Sequence, residues 1–239
     1  MYQFNHTKSP ISIKRSILIL LNYIVGYMYL YPLIMVWISE KIFKTYDYIV
    51  YMELFVFILV FITTIFLAKP IFEESSYNGV DNRRDNFSYA VKSLFIMYFW
   101  MFVLNVILNL VTQQTTSDNQ VNILNMSNSY PLVTFMMAVV LAPLVEEVVF
   151  RGVIFRKLRD HGYLLALVVS SLLFGLAHVY SSLLSGNYLD LLYIITYSML
   201  GYFLAINYER SGNIYISIGL HTAINFISML MLLLARLAG

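Results

Sequence analysis

Long apolar runs with few charges are the feature of this sequence that most limits its fold. Several windows exceed the 18 or so nearly uncharged residues that mark a membrane-spanning helix. Of the 239 residues, 60% are hydrophobic and 12% are charged, whereas about 25% are charged in an ordinary soluble domain. No soluble core could bury that much apolar surface. The sequence therefore predicts an integral membrane protein.

The apolar runs predict an all-α fold, a polytopic bundle of about seven transmembrane helices. The predicted spans are residues 16–38, 48–68, 87–111 or 93–111, 131–158, 163–184, 188–208 and 214–237. The segments 69–92 and 112–130 between them are predicted to be polar loops without a functional site. Glu53 lies about one turn inside the second span, and we expect its side chain to reach the membrane interface.

The lysines and arginines predict the orientation, because cytoplasmic segments retain these residues. If the N-terminus is cytoplasmic, the inner segments hold Lys8, Lys14, Arg15, Lys69, Arg83, Arg84, Lys92, Arg156, Lys157, Arg159 and Arg210. The outer segments then hold Lys41, Lys44 and Arg236. We therefore predict a multi-pass protein of the cell membrane with a cytoplasmic N-terminus and an outer C-terminus. The first apolar run is expected to be an uncleaved span.

Composition also excludes several kinds of function. The chain contains no cysteine, so disulfides, thiolate chemistry and cysteine-based metal sites are excluded. The net charge is +2, and its few charges are spread over loops, so we predict no nucleic-acid partner. The predicted partners are the lipid bilayer and a membrane-associated substrate, with no prediction of oligomeric state.

Three ionisable side chains lie inside the fourth predicted span, in the stretch Ala-Pro-Leu-Val-Glu-Glu-Val-Val-Phe-Arg-Gly. An uncompensated carboxylate at the bilayer centre costs at least ~2.5 kcal/mol, so these groups need partners or water. Glu147 and Arg151 are four residues apart and can form an ion pair on one helix face. Glu146 points about 100 degrees away from Glu147 and stays free for another task. Pro143 should leave backbone carbonyls that need water or a side chain.

Polar side chains in two other spans lie at a similar depth. His178 is in the fifth span, and His221 and Asn225 are one turn apart in the seventh. A rise of about 1.5 Å per residue places all of them near the middle of the membrane. Phe174 is four residues before His178 and can pack beside its imidazole. We expect these groups to meet around a water-filled pocket that opens more easily toward the cytoplasmic side.

A carboxylate beside a neutral imidazole can activate water: the carboxylate takes the proton, and the imidazole holds the water or passes the proton to the leaving group. Glu146 and His178 fit these roles. His221 and Asn225 can donate hydrogen bonds to the oxyanion of a tetrahedral intermediate. The combination predicts hydrolysis of a peptide bond without a covalent intermediate. The competing interpretation is that the histidines only link helices by hydrogen bonds.

A zinc site is the second alternative. Glu146, His178 and His221 would be its ligands, with an open position for water. The sequence has no His-Glu-x-x-His helix motif, so we favour a reaction that requires no metal or other cofactor.

Three short motifs resemble a known family of membrane proteases. Glu146-Glu147-Val-Val-Phe-Arg151, Phe174-Gly-Leu-Ala-His178 and His221-Thr-Ala-Ile-Asn225 look like the motifs of the CAAX protease and bacteriocin-processing (CPBP, or Abi) intramembrane endopeptidases. The resemblance covers about residues 131–227. We therefore divide the chain into an N-terminal three-span region, residues 1–130, and a four-helix catalytic core, residues 131–239.

The resemblance implies an all-helical intramembrane protease in which Glu146 and His178 activate water. It implies an oxyanion site at His221 and Asn225, supported by Glu147 and Arg151. The family has been labelled as metalloproteases, although its glutamate-based mechanism needs no metal. Its substrates range from prenylated CAAX proteins to bacterial peptide precursors.

Two alternatives concern the source organism of the protein and whether it is an enzyme. The phenylalanine- and tyrosine-rich composition with few alanines favours a low-GC bacterium, where prenylated CAAX substrates are not expected. The alternative to an enzyme is a non-catalytic membrane protein for bacteriocin immunity or regulation, which would keep the polar cluster for folding or binding.

Overall fold

The computed structural model describes residues 9–78 and 82–238, with side chains as far as residue 234. Over these ranges the chain is helical and contains no strand, and seven helices are long and apolar enough to cross a membrane. In chain order the helices are α1 (Ile13–Phe43), α2 (Ile49–Tyr77), α3 (Arg83–Thr112), α4 (Asp118–Ser129), α5 (Pro131–Arg159), α6 (Tyr163–Ser185), α7 (Asp190–Ser211) and α8 (Ile214–Ala238). All except α4 are candidate spans, which confirms the predicted all-α, multi-pass membrane fold. The predicted positions of Lys8 and of the Arg236 side chain lie outside the described residues.

The polar loop predicted at 69–92 is mostly helical. Helix α2 continues past its apolar run to Tyr77, and α3 begins at Arg83. The end of α2 is held by the turn between α7 and α8, because Asn213 Nδ2 donates to the carbonyl oxygens of Ser75 and Asn78 at 2.8 and 2.9 Å. These contacts lie far apart in sequence, so local polarity alone misled the prediction.

The polar loop predicted at 112–130 contains helix α4, so this prediction was also incomplete. The Ser117 hydroxyl caps the helix by accepting a hydrogen bond from the backbone N–H of Gln120 at 3.3 Å, and Asp118 stands in the first turn. An acidic residue there is favourable beside the positive end of the helix dipole. The helix lacks an apolar stripe, which is why hydropathy did not reveal it.

Helices α5, α6 and α7 form the most buried part of the molecule. Half of the apolar window of α5 and of α7 is buried, compared with 11% for α3. Helices α6 and α7 pack closely at Gly175, where an added Cβ would lie 2.8 Å from the carbonyl oxygen of Ile194. The hydrophobic core also includes Ile19 of α1 and Phe57 of α2. The division at residue 130 stays a prediction.

Ionic and polar contacts tie the helix ends together at one face of the bundle. Because successive spans run in opposite directions, the ends of α2, α5 and α7 and the start of α8 share this face. Arg156 forms an ion pair with Glu74 at 2.9 Å, and Arg159 forms one with Glu209 at 2.9 Å. We call this side the basic face and the opposite side, which carries α4, the α4 face.

Candidate active site

The predicted ion pair between Glu147 and Arg151 is confirmed. Arg151 Nη1 lies 3.2 Å from Glu147 Oε1, and both side chains are completely buried. A buried pair stabilises a fold only if further hydrogen bonds satisfy its remaining polar atoms. Hydrogen bonds from two other helices, α7 and α8, satisfy part of this need, and Arg151 Nε has no hydrogen-bond partner among the described residues.

Glu147 accepts two hydrogen bonds from α8. The Ser217 hydroxyl donates to Glu147 Oε2, and His221 Nδ1 lies 3.0 Å from Glu147 Oε1. Because a carboxylate can only accept, this ring nitrogen carries the hydrogen. Sequence reasoning missed Ser217, since nothing in its own helix points to a partner on α5.

Arg151 connects α5 to α6 and α7. Its Nη2 donates to the carbonyl oxygen of Gly201 at 2.8 Å, and its guanidinium carbon lies 4.6 Å from the centre of the Phe174 ring. The second contact has the geometry of a cation–π interaction. The Glu147–Arg151 pair thus links the four helices that carry the three motifs and Gly201.

Glu146 has very different surroundings from its neighbour. Its Oε2 lies 3.8 Å from His178 Nε2 and 3.8 Å from His221 Nε2. Both distances are too long for a direct hydrogen bond. Oε2 is buried and has no hydrogen-bond partner among the described residues. The structure therefore brings the predicted carboxylate and both imidazoles together and leaves one carboxylate oxygen without a protein partner.

The His178 ring is fixed on both sides. Its Nδ1 lies 2.9 Å from the carbonyl oxygen of Phe174, which can only accept, so Nδ1 carries the hydrogen and Nε2 faces Glu146. The Phe174 ring centre is 4.5 Å away, as predicted from the spacing. On the other side Tyr197 stacks at 4.5 Å with an interplanar angle of 23°. Sequence reasoning missed Tyr197, which comes from α7.

Asn225 satisfies a backbone carbonyl that Pro143 leaves free. The Ala142 N–H bonds to the carbonyl of Met137, five residues back, in a π-helical segment. The next bond in this series would run from residue 143 to Ala138, but proline has no N–H. Asn225 Nδ2 donates to the Ala138 carbonyl oxygen at 2.8 Å instead. The predicted need for a side-chain partner near Pro143 is confirmed.

A cavity of about 420 Å³ begins at the predicted site. Glu146, His178 and Asn225 lie on its wall, whereas His221 is 1% exposed and is not part of the lining. This volume is within the range of ordinary ligand pockets. The two residues of the predicted oxyanion pair therefore differ in their access to the cavity. Asn225 faces the cavity, and His221 is buried behind Glu146.

The cavity extends toward the α4 face. Its lining comes from α1 between Tyr23 and Met35, the first halves of α2 and α7, Met101 of α3, α5 as far as Glu146, the second half of α6 and α8 from Ile224 to Leu232. Helix α4 adds residues that include Asn119, Gln120 and Asn122. On the other side, Phe155 and Tyr208 are buried and meet edge to face at 5.9 Å. The predicted opening toward the side of Arg156, Lys157 and Arg159 was therefore wrong. The contacts of the basic face, which join the ends of separate helices, could not be predicted from span lengths.

Two predictions about polar residues outside the motifs also change. The segment 112–130 contributes three amide side chains to the cavity, although no site was predicted there. Glu53 lines the same cavity and is half-buried, and was expected at the membrane interface. Tyr23 and Tyr27 of α1 are further lining residues that no sequence signal marked.

The three ligands of the zinc alternative, Glu146, His178 and His221, lie close to one another but too far apart to bind one metal ion as they stand. Within the described residues, no group of three or more histidine, aspartate or glutamate side chains is placed to hold a metal ion. Glu146 Oε2 is 3.8 Å from each Nε2. The Nδ1 hydrogen bonds of both rings would suit metal ligation, but the three groups would have to move closer together.

Fold and site together define a class: a multi-pass, all-helical membrane protein with a carboxylate and two imidazoles at the inner end of a cavity. Comparison with known proteins adds a family match. Residues 128–227 match the family model described as Type II CAAX prenyl endopeptidase Rce1-like. This match confirms the resemblance to the CPBP family that the three motifs indicated.

A curated relative matches part of the chain. It is the protein named "Putative membrane peptidase YdiL" from Bacillus subtilis (strain 168), which is 28% identical over 116 residues. The aligned region covers 48% of this chain and 43% of the relative, so the chain spans less than half the length of that protein. No solved structure matches the chain.

Proposed function

We propose that this protein is an intramembrane endopeptidase that hydrolyses a peptide bond of a membrane-associated peptide or protein. The observation that carries the proposal is the position of Glu146. One of its carboxylate oxygens is buried without a hydrogen-bond partner among the described residues and is equidistant from two imidazole nitrogens. A water between Glu146 and His178 would satisfy that oxygen.

In the proposed reaction Glu146 removes a proton from this water as its oxygen attacks the carbonyl carbon of the substrate. The bond between that carbon and the peptide nitrogen then breaks, and the proton passes to the leaving amine. His178 Nε2 can accept and return the proton, because Nδ1 already donates to Phe174. General acid–base catalysis of this kind contributes roughly 10² to 10⁴ in rate.

Asn225 is the first donor proposed for the oxyanion. One of its amide hydrogens is bonded to Ala138, and the second remains for a group in the cavity. His221 can add a second donor only when both of its ring nitrogens are protonated, because Nδ1 already donates to Glu147.

The comparisons support the enzyme class and leave the substrate open. The family description names a CAAX prenyl endopeptidase, and the relative's name is that of a membrane peptidase. Since the composition favours a bacterial source, we propose a peptide precursor or membrane protein as substrate. We further propose that residues 131–239 are the catalytic core and that the basic face, with the N-terminus, is cytoplasmic.

The test compares the membrane peptides of cells that carry the wild type with those of cells that carry Glu146→Gln or His178→Ala. We expect a precursor to accumulate uncut in both variants, while purified protein keeps its thermal stability. Glu209→Gln is a control at the basic face, outside the cavity. If both active-site variants leave the peptides and the cellular phenotype unchanged, the protein is a non-catalytic immunity or regulatory protein.

Chelation distinguishes the metal-free mechanism from the zinc-dependent one. We propose that no metal is required, so hydrolysis by purified protein should persist after incubation with a strong zinc chelator. Loss of activity that added zinc restores would instead assign Glu146, His178 and His221 as ligands, with zinc polarising the attacked carbonyl.

A further inference from the structure

Glu53 is a second carboxylate on the wall of the cavity. It lies one turn inside α2, is half-buried, and has no hydrogen bond or ion pair with any residue that the structure describes. A charged side chain at membrane depth without a partner is costly and commonly marks a binding position. The proposed hydrolysis does not use Glu53.

Glu53 and Glu146 lie at different depths in the bundle. Tyr27 lines the cavity together with both carboxylates. Glu146 lies about 22 Å from the start of α5, and Glu53 lies about 6 Å from the start of α2, at the same face. The difference in depth is about 16 Å, and about five residues of extended chain span this depth along the bundle axis. Glu53 is thus placed near the mouth of the cavity, and Glu146 at its inner end.

The charges and walls of the cavity indicate what can bind there. The lining includes Glu53 and Glu146 but no lysine or arginine from the described parts of the chain. Much of the remaining wall is apolar, with methionine and leucine side chains such as Met101 and Leu232. A fitting ligand is therefore largely apolar and carries a positive charge at the level of Glu53.

We propose that Glu53 binds a cationic group of the substrate, about five residues from the peptide bond that is placed at Glu146. The group is an amine or a guanidinium, from a lysine or arginine side chain or from a free N-terminus. This inference rests on the proposed function, because it names the substrate class of the same cavity. Glu53 is a specificity-determining residue and takes no part in proton transfer.

Binding is measured on Glu146→Gln protein in lipid nanodiscs, where no hydrolysis interferes. The probes are apolar ten-residue peptides, blocked at both ends, that carry one lysine at successive positions, and a matched series with norleucine. We expect at least one lysine peptide to bind about tenfold more tightly than its norleucine partner. Adding Glu53→Gln should abolish this preference.

Glu40→Gln is the matched control. Glu40 is exposed at the α4 face, bonded to the Tyr46 hydroxyl at 2.7 Å, and is not part of the cavity lining. Its removal takes the same charge from the same face and should leave the lysine preference intact. If Glu40→Gln and Glu53→Gln have equal effects, general surface charge attracts the peptides and the inference is wrong.

Two further arms complete the test. An unblocked N-terminus in a norleucine peptide distinguishes an amine at the chain end from a side chain. Glu53→Lys should reverse the preference toward a glutamate peptide, which also shows that the variant is folded. No lysine preference, or a preference that survives Glu53→Gln, overturns the inference. If the preference is as expected but wild-type protein cleaves none of the bound peptides, the binding site stands and the proposed function fails.

Discussion

Glu146 and Glu147 are neighbours in sequence with opposite surroundings. Glu147 is completely buried and has partners in Arg151, Ser217 and His221. Glu146 faces a cavity, and its Oε2 lacks a hydrogen-bond partner in the described chain. A buried charge that is well paired supports structure, whereas an unpaired one is available for chemistry. This contrast is the basis for assigning different roles to two identical side chains.

Tyr197 is a positioning residue for His178 in the proposed mechanism. Its ring stacks on the imidazole, and its hydroxyl lies 2.7 Å from the Ser117 hydroxyl. We expect Tyr197→Leu to lower kcat about tenfold with little change in KM, because the imidazole loses the stacking contact that keeps it aligned. Tyr197→Phe keeps the ring and should stay within about threefold of wild type. The measurement is steady-state hydrolysis of a peptide that the wild type cleaves.

Tyr202→Leu is the control for this prediction, since Tyr202 is on the same helix, is 41% exposed and contacts Phe203 and not His178. It should retain wild-type kinetics. If Tyr197→Phe lost as much activity as Tyr197→Leu, the hydroxyl and its contact with Ser117 would matter more than stacking.

Contacts within one helix were predictable from the sequence, and contacts between helices were not. Glu147 with Arg151 and Phe174 with His178 are four residues apart, which places each pair on one helix face whatever the rest of the fold. Ser217 and Tyr197 reach the site from other helices. Their involvement depends on how each helix is rotated about its axis, and a span that is apolar on every side does not reveal that rotation.

At the level of helices, the close approach of α6 and α7 supports the site. His178 and Phe174 lie on α6, and Tyr197 and Gly201 lie on α7, so separation of these helices would displace the imidazole. A Cβ at Gly175 would clash with the Ser198 hydroxyl and lie 3.0 Å from the Ser198 backbone nitrogen. Backbone atoms cannot move aside as a flexible side chain can.

Gly175→Ala is therefore expected to destabilise the protein by about 1 to 3 kcal/mol through overpacking. The measurement is thermal unfolding in detergent. Gly219→Ala is the matched control, because a Cβ at this exposed position on α8 meets no atom within 4 Å. Alanine is the better helix former, so the control should keep or slightly raise the melting temperature. Equal losses in both variants would contradict the packing argument.

The number of membrane-spanning helices followed from apolar run length, but helix ends did not. The segment 69–92 was expected to be a loop and is largely helical, because polar residues continue a helix beyond the apolar run when tertiary contacts hold its end. Asn213 provides that contact for α2. Helix α4 was missed because capping, rather than an apolar stripe, is its main local signal.

For the whole molecule, the direction of the cavity can be tested by chemical labelling. The chain has no cysteine, so single introduced cysteines give a clear signal. With the proposed orientation, Asp47→Cys in the turn between α1 and α2 and Ser228→Cys in the cavity should react in intact cells with a small impermeant thiol reagent. Asp160→Cys, in the turn between α5 and α6, should react only after the cells are permeabilised.

The outcomes distinguish orientation from cavity direction. Reaction of Asp160→Cys and protection of Asp47→Cys in intact cells would reverse the orientation. The cavity is described as extending toward the α4 face, the side of Asp47. If Ser228→Cys reacted only under the conditions that label Asp160→Cys, the cavity would instead open toward the basic face, and the described direction would be wrong.

The closed end of this cavity has an electrical consequence. Water, carboxylates and imidazoles half-way across a bilayer are the components of a proton pathway, and each charge that crosses gains about 2.3 kcal/mol per 100 mV. Here the polar path stops at the buried rings of Phe155 and Tyr208 and at the ion pairs of Arg156 and Arg159. In the described parts of the chain the cavity extends toward the α4 face and not through the basic face. The molecule can therefore hold a polar site within the membrane without a polar path that would discharge the membrane potential of the cell.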